Sequence, residues 1–394
     1  MREALHSDRE LAPAALAPPA VRSLALAEFR NYPVLRLELD ARPVVLTGVN
    51  GAGKTNLLEA VSLLAPGRGL RRARLQEIDR HGASPEARWR VRAVVDTAAG
   101  IVEIETGREG EAGEPGAKRG LRIDRKTVRS QAELARLLAI QWVTPDMDRL
   151  FQDRSSARRR FLDRLVGGLD PDHGERIVAY DHALRERALL LRDGPRDPSW
   201  LASLEARMGE HGVAIAAARR AHLRLLSAAL ISGAGPFPRA EATVEGAIET
   251  WLDEAPALAV EERFKQALAS SRTGDAESGG AGIGPHRSDL AVRHVATGQP
   301  AALCSTGEQK ALLLALVLAE ARIEAAERGS APLLLLDEAG AHLDRVRRLA
   351  LHEEIKSLGA QAWLTGTEDS LFEGLAGGAA QFLRVAGGSV VLRA

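Results

Sequence analysis

Gly48-Val49-Asn50-Gly51-Ala52-Gly53-Lys54-Thr55 fits the pattern G-x-x-x-x-G-K-[ST]. Its flanks give the match meaning. Pro43-Val44-Val45-Leu46-Thr47 before it is a continuous apolar run, as in a strand buried on both faces. Asn56 to Leu64 after it has helical spacing and stops at Pro66-Gly67. Strand, glycine loop and helix in that order make a phosphate cradle, because glycines let successive N–H groups curl around phosphate oxygens without a Cβ in the way. Lys54 is then placed to meet the β- and γ-phosphates and the Thr55 hydroxyl to ligate Mg²⁺, while the helix points its positive end at the anion. A glycine turn matching by chance would lack these neighbours.

Two later segments point the same way. Leu333-Leu334-Leu335-Leu336-Asp337-Glu338 reads as a buried strand ending in two acids, delivered to the crevice at the strand carboxyl ends where α/β sheets bind ligands. In a phosphate-loop ATPase Asp337 holds Mg²⁺ directly or through water, and Glu338 orients or deprotonates the attacking water. Ser305-Thr306-Gly307-Glu308-Gln309-Lys310 opens the helix of Ala311 to Ala326. A serine and a glycine at a helix N-terminus make an anion site, although the segment alone reads only as a helix cap.

Around these motifs the chain alternates strands and helices. Leu24-Ala25-Leu26 and Leu35 to Leu39 read as half-buried strands, 88–129 as an antiparallel meander with an exposed loop over Gly107 to Gly120, and Ile140 to Val143 as a buried strand. Ser155 to about Ser271 reads as helical, with long amphipathic helices over Tyr180–Arg192 and Leu201–Ala229 and breaks near 194–198 and 235–238. A helix of about 30 residues projects ~45 Å, enough for an arm. Ser270 to Gly284 reads as the linker back, after which strand–helix alternation resumes. The expected division is a disordered tail (1–20), an N-terminal head part (21–150), a helical arm (151–280) and a C-terminal head part (281–394).

Composition narrows the classes. The 394 residues suggest two or three structural units, and 53 basic against 53 acidic side chains leave no chain-wide positive field, so a nucleic-acid surface must be a local patch. One cysteine, Cys304, excludes an intramolecular disulfide. No apolar run reaches the ~20 residues of a membrane span, and the proline-rich start is a poor secretory signal. A cytosolic location, without a membrane partner, is expected. Aromatics are only 4% of the chain, which disfavours stacking on single-stranded bases and suits contacts to a duplex backbone.

Together with Phe29-Arg30-Asn31-Tyr32, the three motifs resemble the SMC-like branch of ABC ATPases, and within it the RecF family of bacterial DNA replication and repair proteins. Arg159-Arg160-Phe161-Leu162-Asp163, Ala183-Leu184-Arg185-Glu186-Arg187 and Gly284-Pro285-His286-Arg287 resemble further segments of that family. The resemblance implies an α/β fold, an ABC/SMC-type P-loop ATPase head with an inserted helical arm domain. It implies ATP and Mg²⁺ as cofactors, and a homodimer that sandwiches ATP between chains. Gly48, Asn50, Gly51, Ala52, Gly53, Lys54, Thr55 and Asn56 of one chain would meet the nucleotide with Arg30, while Ser305, Gly307 and Glu308 of the other cap it. Leu343-Asp344 falls where ABC proteins carry the D-loop. The implied partners are gapped or duplex DNA, RecO and RecR, with RecA loaded on single strands.

Some positions depart from that pattern. The family commonly has two aspartates where this chain has Asp337-Glu338, which favours Glu338 as the base. Asp146 stands at the Q-loop glutamine position, Thr367 at the switch-histidine position, and Ser288 where a second acid is usual. Hydrolysis is therefore expected to be slow, stimulated by DNA, and to act as a switch. Arg68, Arg71, Arg72 and Arg74, with Arg158 to Arg160, are candidate DNA-phosphate contacts, set against a solvated arginine face in a chain with 47 arginines and six lysines. The other readings are an SMC-like chromosome factor, a transporter cassette and an overcoming-lysogenisation-type nuclease. The 283 residues between Lys54 and Asp337 exceed what a cassette needs, and the nuclease reading expects an acidic metal-binding domain with clustered Asp and Glu that these 394 residues do not display.

Overall fold

The computed structural model describes residues 18–84, 86–110, 118–193, 198–233, 235–341 and 343–393. Residues 1–17 of the expected tail, the tip of the 107–120 insert, the break at 194–197 and His342 lie outside them. Along the chain, β1 (Ala20–Phe29) and β2 (Tyr32–Glu38) form a hairpin, and β3 (Val44–Thr47) runs through the glycine loop into α1 (Lys54–Ser62). A meander follows: β4 (Arg90–Thr97), β5 (Gly100–Glu109), β6 (Lys118–Ile123) and β7 (Lys126–Thr127). Then come α2 (Gln131–Leu137), β8 (Ile140–Val143) and a helical region of α3 (Ser155–Leu169), α4 (His173–Asp193) and α5 (Pro198–Ser232). β9 (Ala240–Glu245), α6 (Ala247–Glu254), α7 (Ala257–Ser270), α8 (Arg272–Ser278) and β10 (Asp289–His294) lead back. The last third is α9 (Thr306–Arg328), β11 (Leu333–Leu336), α10 (Arg345–Leu358), β12 (Ala362–Gly366), β13 (Gln381–Ala386) and β14 (Ser389–Leu392).

Two six-stranded sheets carry the head. One is antiparallel in the order β2-β1-β4-β5-β6-β7, and the other, in the order β14-β13-β3-β12-β11-β8, is parallel but for β14. The all-leucine β11 shows why a continuous apolar run suits the centre of the second sheet. Leu333 and Leu335 enter the core shared with the antiparallel sheet and α1, while Leu334 and Leu336 enter the core under α9, α3 and α5. The three loop-bearing strands β3, β12 and β11 are therefore neighbours and end together.

The stretch expected to be helical from 155 to 271 also contains β9, which pairs in antiparallel register with β10. Alternating Ala240, Ala242 and Val244 put an apolar edge on α5, so the short strand buries what a helix there would expose. The Ser270–Gly284 linker likewise contains α8, and the 107–120 loop is shortened from both sides by β5 and β6. The 35-residue α5 spans ~52 Å and contributes to two separate cores. One half packs against α4 and α7, the other against the head core.

The family-like arm segments are clasps. Arg187, 1% exposed, sits between Glu205 (3.0 Å), Asp275 (2.7 Å) and the Leu268 carbonyl (2.7 Å). Asp163 accepts a fork from Arg219 (2.8 and 2.9 Å) and also meets His173, while Arg219 donates to the Pro285 carbonyl at 2.7 Å. His286 lies 2.7 Å from the Tyr180 hydroxyl, and Arg287 donates to the Ala281 carbonyl. Gly284-Pro285-His286-Arg287 thus fastens the returning chain to the arm base. Ser288 donates at 2.7 Å to the buried Glu249. Such buried pairs are costly to break one partner at a time.

Candidate nucleotide site

β3 ends at Thr47, and the chain turns through Gly48, Gly51 and Gly53, all with positive φ. A Cβ at Gly53 would lie 2.5 Å from the Asn31 amide and 2.6 Å from the Tyr32 hydroxyl, so only glycine fits there. Gly53 is also the N-cap of α1 and offers no side-chain cap, so the first N–H groups of the helix face the loop unclaimed by a side chain. Lys54, 5% exposed, donates to the carbonyls of Gly48 (2.7 Å) and Val49 (3.0 Å), which hold its ammonium across the loop mouth. Val49 and Asn50 are exposed at the tip, with Ala52 buried beneath.

The strand ends bring distant residues together. The Thr55 hydroxyl donates to Asp337 Oδ1 at 3.0 Å, across 282 residues of chain. Thr365 at the end of β12 donates to the same oxygen at 2.7 Å and accepts from the Glu338 N–H at 2.8 Å. Glu338 is half-buried with a φ of 50°, a left-handed turn that swings it off the strand line. Burial pushes Asp337 up from its ordinary value, against the two hydroxyl donors, and pushes Lys54 down, against Glu338 and Asp337. Each charged form is held at a cost that an anion beside the lysine and a cation beside the aspartate would relieve. Thr55 and Asp337 are the hard oxygen donors Mg²⁺ takes when phosphates complete its shell, so the residues present fit that ion.

The Phe29-Arg30-Asn31-Tyr32 turn walls the loop. Asn31 donates to the Ala52 carbonyl (3.3 Å) and accepts from Asn56 (2.7 Å), while the Tyr32 hydroxyl donates to the Gly53 carbonyl (3.1 Å). Arg30 lies beside the loop with its guanidinium forked onto buried Glu59 of α1 at 2.8 and 2.6 Å. Arg71 shares that carboxylate at 2.9 Å and also reaches Asn56. Asn31, Tyr32 and Glu59 were not singled out as site residues from sequence, because their partners come from a hairpin and a loop that only the fold brings close.

Among the described residues the Ser305 side chain is bonded within its own segment, to Glu308. Ser305 caps α9 in a reciprocal box: its hydroxyl accepts from the Glu308 N–H, and Glu308 accepts from the Ser305 N–H at 2.8 Å. Ser305, Thr306 and Gly307 are exposed. Lys310, one turn on, donates to the Glu338 carbonyl at 3.2 Å and lies 3.5 Å from Asp148, linking this helix to the acid pair and to the turn after β8. Asp146 of that turn is exposed. At the switch position the observed contact to the acid pair belongs to Thr365, the last residue but one of β12, while Thr367 lies beyond the strand end and is exposed. Asp344 caps α10 by accepting from the Arg347 N–H at 2.9 Å.

The arginines after α1 divide. Arg71 is engaged with Glu59, whereas among the described residues Arg68, Arg72, Arg74 and Arg160 form no salt bridge. Arg72 faces Arg68 and Arg160, and burial with those like charges depresses its pKa. Residues 68–74 of the head and the first arm helix thus share one cationic patch.

Comparison with known proteins agrees with this architecture. A family model described as "RecF/RecN/SMC N terminal domain" matches residues 20–385. "DNA replication and repair protein RecF" of Mesorhizobium japonicum is 48% identical over 372 residues, covering 94% of this chain and 97% of the relative. The protein of the same name from Rhizobium meliloti is 49% identical over 372 residues, covering 93% and 97%. A solved structure of the recombination mediator protein RecF with ATP, from the RecFOR pathway, shares the fold with a TM-score of 0.83, 24% identity and coverage of 98% and 100%. With a phosphate loop, an acid pair and the capped Ser305 helix on this frame, the chain belongs to the RecF family of RecF/RecN/SMC-type ATPase heads.

Proposed function

We propose that this chain is an ATP-dependent DNA-binding switch of DNA replication and recombinational repair. The reading is carried by the Thr55–Asp337 contact at 3.0 Å, which joins phosphate loop and acid pair in one site. Lys54 and the first N–H groups of α1 hold the triphosphate, and Thr55 and Asp337 hold Mg²⁺, which when bound neutralises phosphate charge. Glu338 accepts the proton of the attacking water. Ser305 and Gly307 are exposed and far from this chain's own loop in sequence, as suits a cap on nucleotide held by a second copy. Val49, Leu303 and Val346 sit beside the phosphate loop, the Ser305 segment and the Asp344 cap. All three are exposed apolar side chains (67–74%).

DNA enters this reading through Arg72, Arg68 and Arg160, which suit phosphates and carry no base-reading pattern. Gapped duplex is the expected substrate, with RecO and RecR as partners and RecA loading as the outcome, in the cytoplasm. Among the described residues no helix is long and apolar enough to cross a membrane. Titrating gapped duplex in ATP, ADP and no nucleotide tests the reading: ATP should tighten binding at least tenfold over ADP. Equal affinity in all three states contradicts it.

A further inference from the structure

β12 is held between β3, which leads into the phosphate loop, and β11, which ends in the acid pair. Its Thr365 side chain is 2% exposed and lies within hydrogen-bond reach of both acids' residues. One hydroxyl supplies one donor and two acceptor lone pairs, so the donation to Asp337 Oδ1 (2.7 Å) and the acceptance from the Glu338 N–H (2.8 Å) coexist. Thr55 lands on the same Oδ1. Both hydroxyls therefore fix one oxygen of Asp337 and leave Oδ2 without a hydrogen-bond partner among the described residues. At the other end, the bond to the Glu338 N–H fastens the one residue of the acid pair whose backbone is left-handed, a conformation that persists only where its surroundings hold it.

We infer that Thr365 is the positioning residue of this site: it sets the direction in which Asp337 presents its free oxygen and locks the Glu338 turn. The inference rests on the phosphate-loop reading above. Thr365 touches neither nucleotide nor metal and acts through the two acids. Thr367, exposed two residues later, has no such part.

The test is ATP binding by calorimetry, with and without Mg²⁺, on full-length protein. Thr365→Val keeps shape and removes both bonds. It should bind metal-free ATP within about twofold of wild type, while losing about tenfold of the Mg²⁺ enhancement, the scale of a hydrogen bond to a charged group. Thr365→Ser should restore the enhancement and Thr367→Val should leave it unchanged. Metal-free binding in the same sample reports that the variant is folded, and Thr365→Ala repeats the measurement should valine misfold. Full Mg²⁺ enhancement in Thr365→Val, or a serine variant as defective as valine, overturns the inference. A wild type that Mg²⁺ does not affect sinks the reading of the site itself, and Thr365's role with it.

Discussion

Two helices begin at functional motifs in this molecule, and their N-termini are finished in opposite ways. α1 starts at Gly53 with no side-chain cap, behind a loop walled by Asn31 and Tyr32 and next to the Asp337 carboxylate. α9 starts at Ser305 with its donors satisfied by a reciprocal box with Glu308, out on the surface. An uncapped helix start in a walled pocket is built to take an anion from within its own chain. A capped, exposed one is stable by itself and can exchange its cap for another group at small cost, since a cap is worth only ~1 kcal/mol. On the proposed reading the first is a half-site and the second its complement on another copy.

The largest expected effect comes from breaking the first half. Lys54→Ala removes the ammonium held at the loop mouth, and ATP binding in calorimetry should fall at least a hundredfold, with nucleotide-dependent dimerisation lost. Retained dimerisation would separate the loop from assembly. Ser305→Ala attacks the other half. ATP affinity of the monomer should stay within about twofold, the ATP-dependent dimer should weaken at least tenfold in sedimentation, and the melting temperature should drop by only a few degrees. Equal losses of binding and dimerisation would mean that the two helix starts serve one chain's nucleotide together.

A smaller effect distinguishes the arginines that follow α1. Arg72→Glu with Arg160→Glu should flatten the slope of log K against log salt for duplex DNA by about 2, at ~0.9 for each phosphate no longer neutralised. Arg71→Ala, whose side chain faces Glu59 rather than its fellow arginines, should change that slope by less. Identical slopes in both variants would return the patch to a solvated surface.

The smallest effect concerns the junction behind α9. Glu320 and Glu324 are one turn apart and buried. Glu320 meets His222 at 2.7 Å, while Glu324 meets Gln141 of β8; Arg164 of α3 and Arg328 also act on the pair. Burial pushes both carboxyls up, to about 8, and pushes His222 down. A carboxyl raised on folding binds its proton more tightly in the native state. Its stabilising contribution is therefore full below the ordinary glutamate value and is lost as pH rises toward 8. His222, pushed down, acts with the opposite sign up to the ordinary histidine value. The wild-type melting temperature should therefore fall chiefly above that value, toward pH 8, and Glu320→Gln with Glu324→Gln should flatten the decline. An unchanged decline in the double variant would place the titration elsewhere.

Much of this was legible in sequence where a local pattern carries its own chemistry. The phosphate loop, the four-leucine strand with its acids and the Ser305 cap each depend on neighbours within ten residues, and the structure places them in the expected elements. What was missed depends on long separations. Thr365 carries no sign of its contacts until β12 is known to lie between β3 and β11, and Glu59 none of its ion pairs until Arg30 and Arg71 arrive from elsewhere. β9 was hidden because six alternating residues inside a helical stretch mean little without β10, nearly fifty residues on, to pair with.

The central claim is a nucleotide half-site in each chain that needs a second chain to close it. Sedimentation velocity of the wild-type protein with Mg²⁺ and a slowly hydrolysed ATP analogue, with and without gapped duplex, tests this most directly. A monomer is expected without nucleotide or with ADP, and with the analogue a dimer that co-sediments with DNA. A species that stays monomeric under saturating analogue, with DNA present, would contradict the claim.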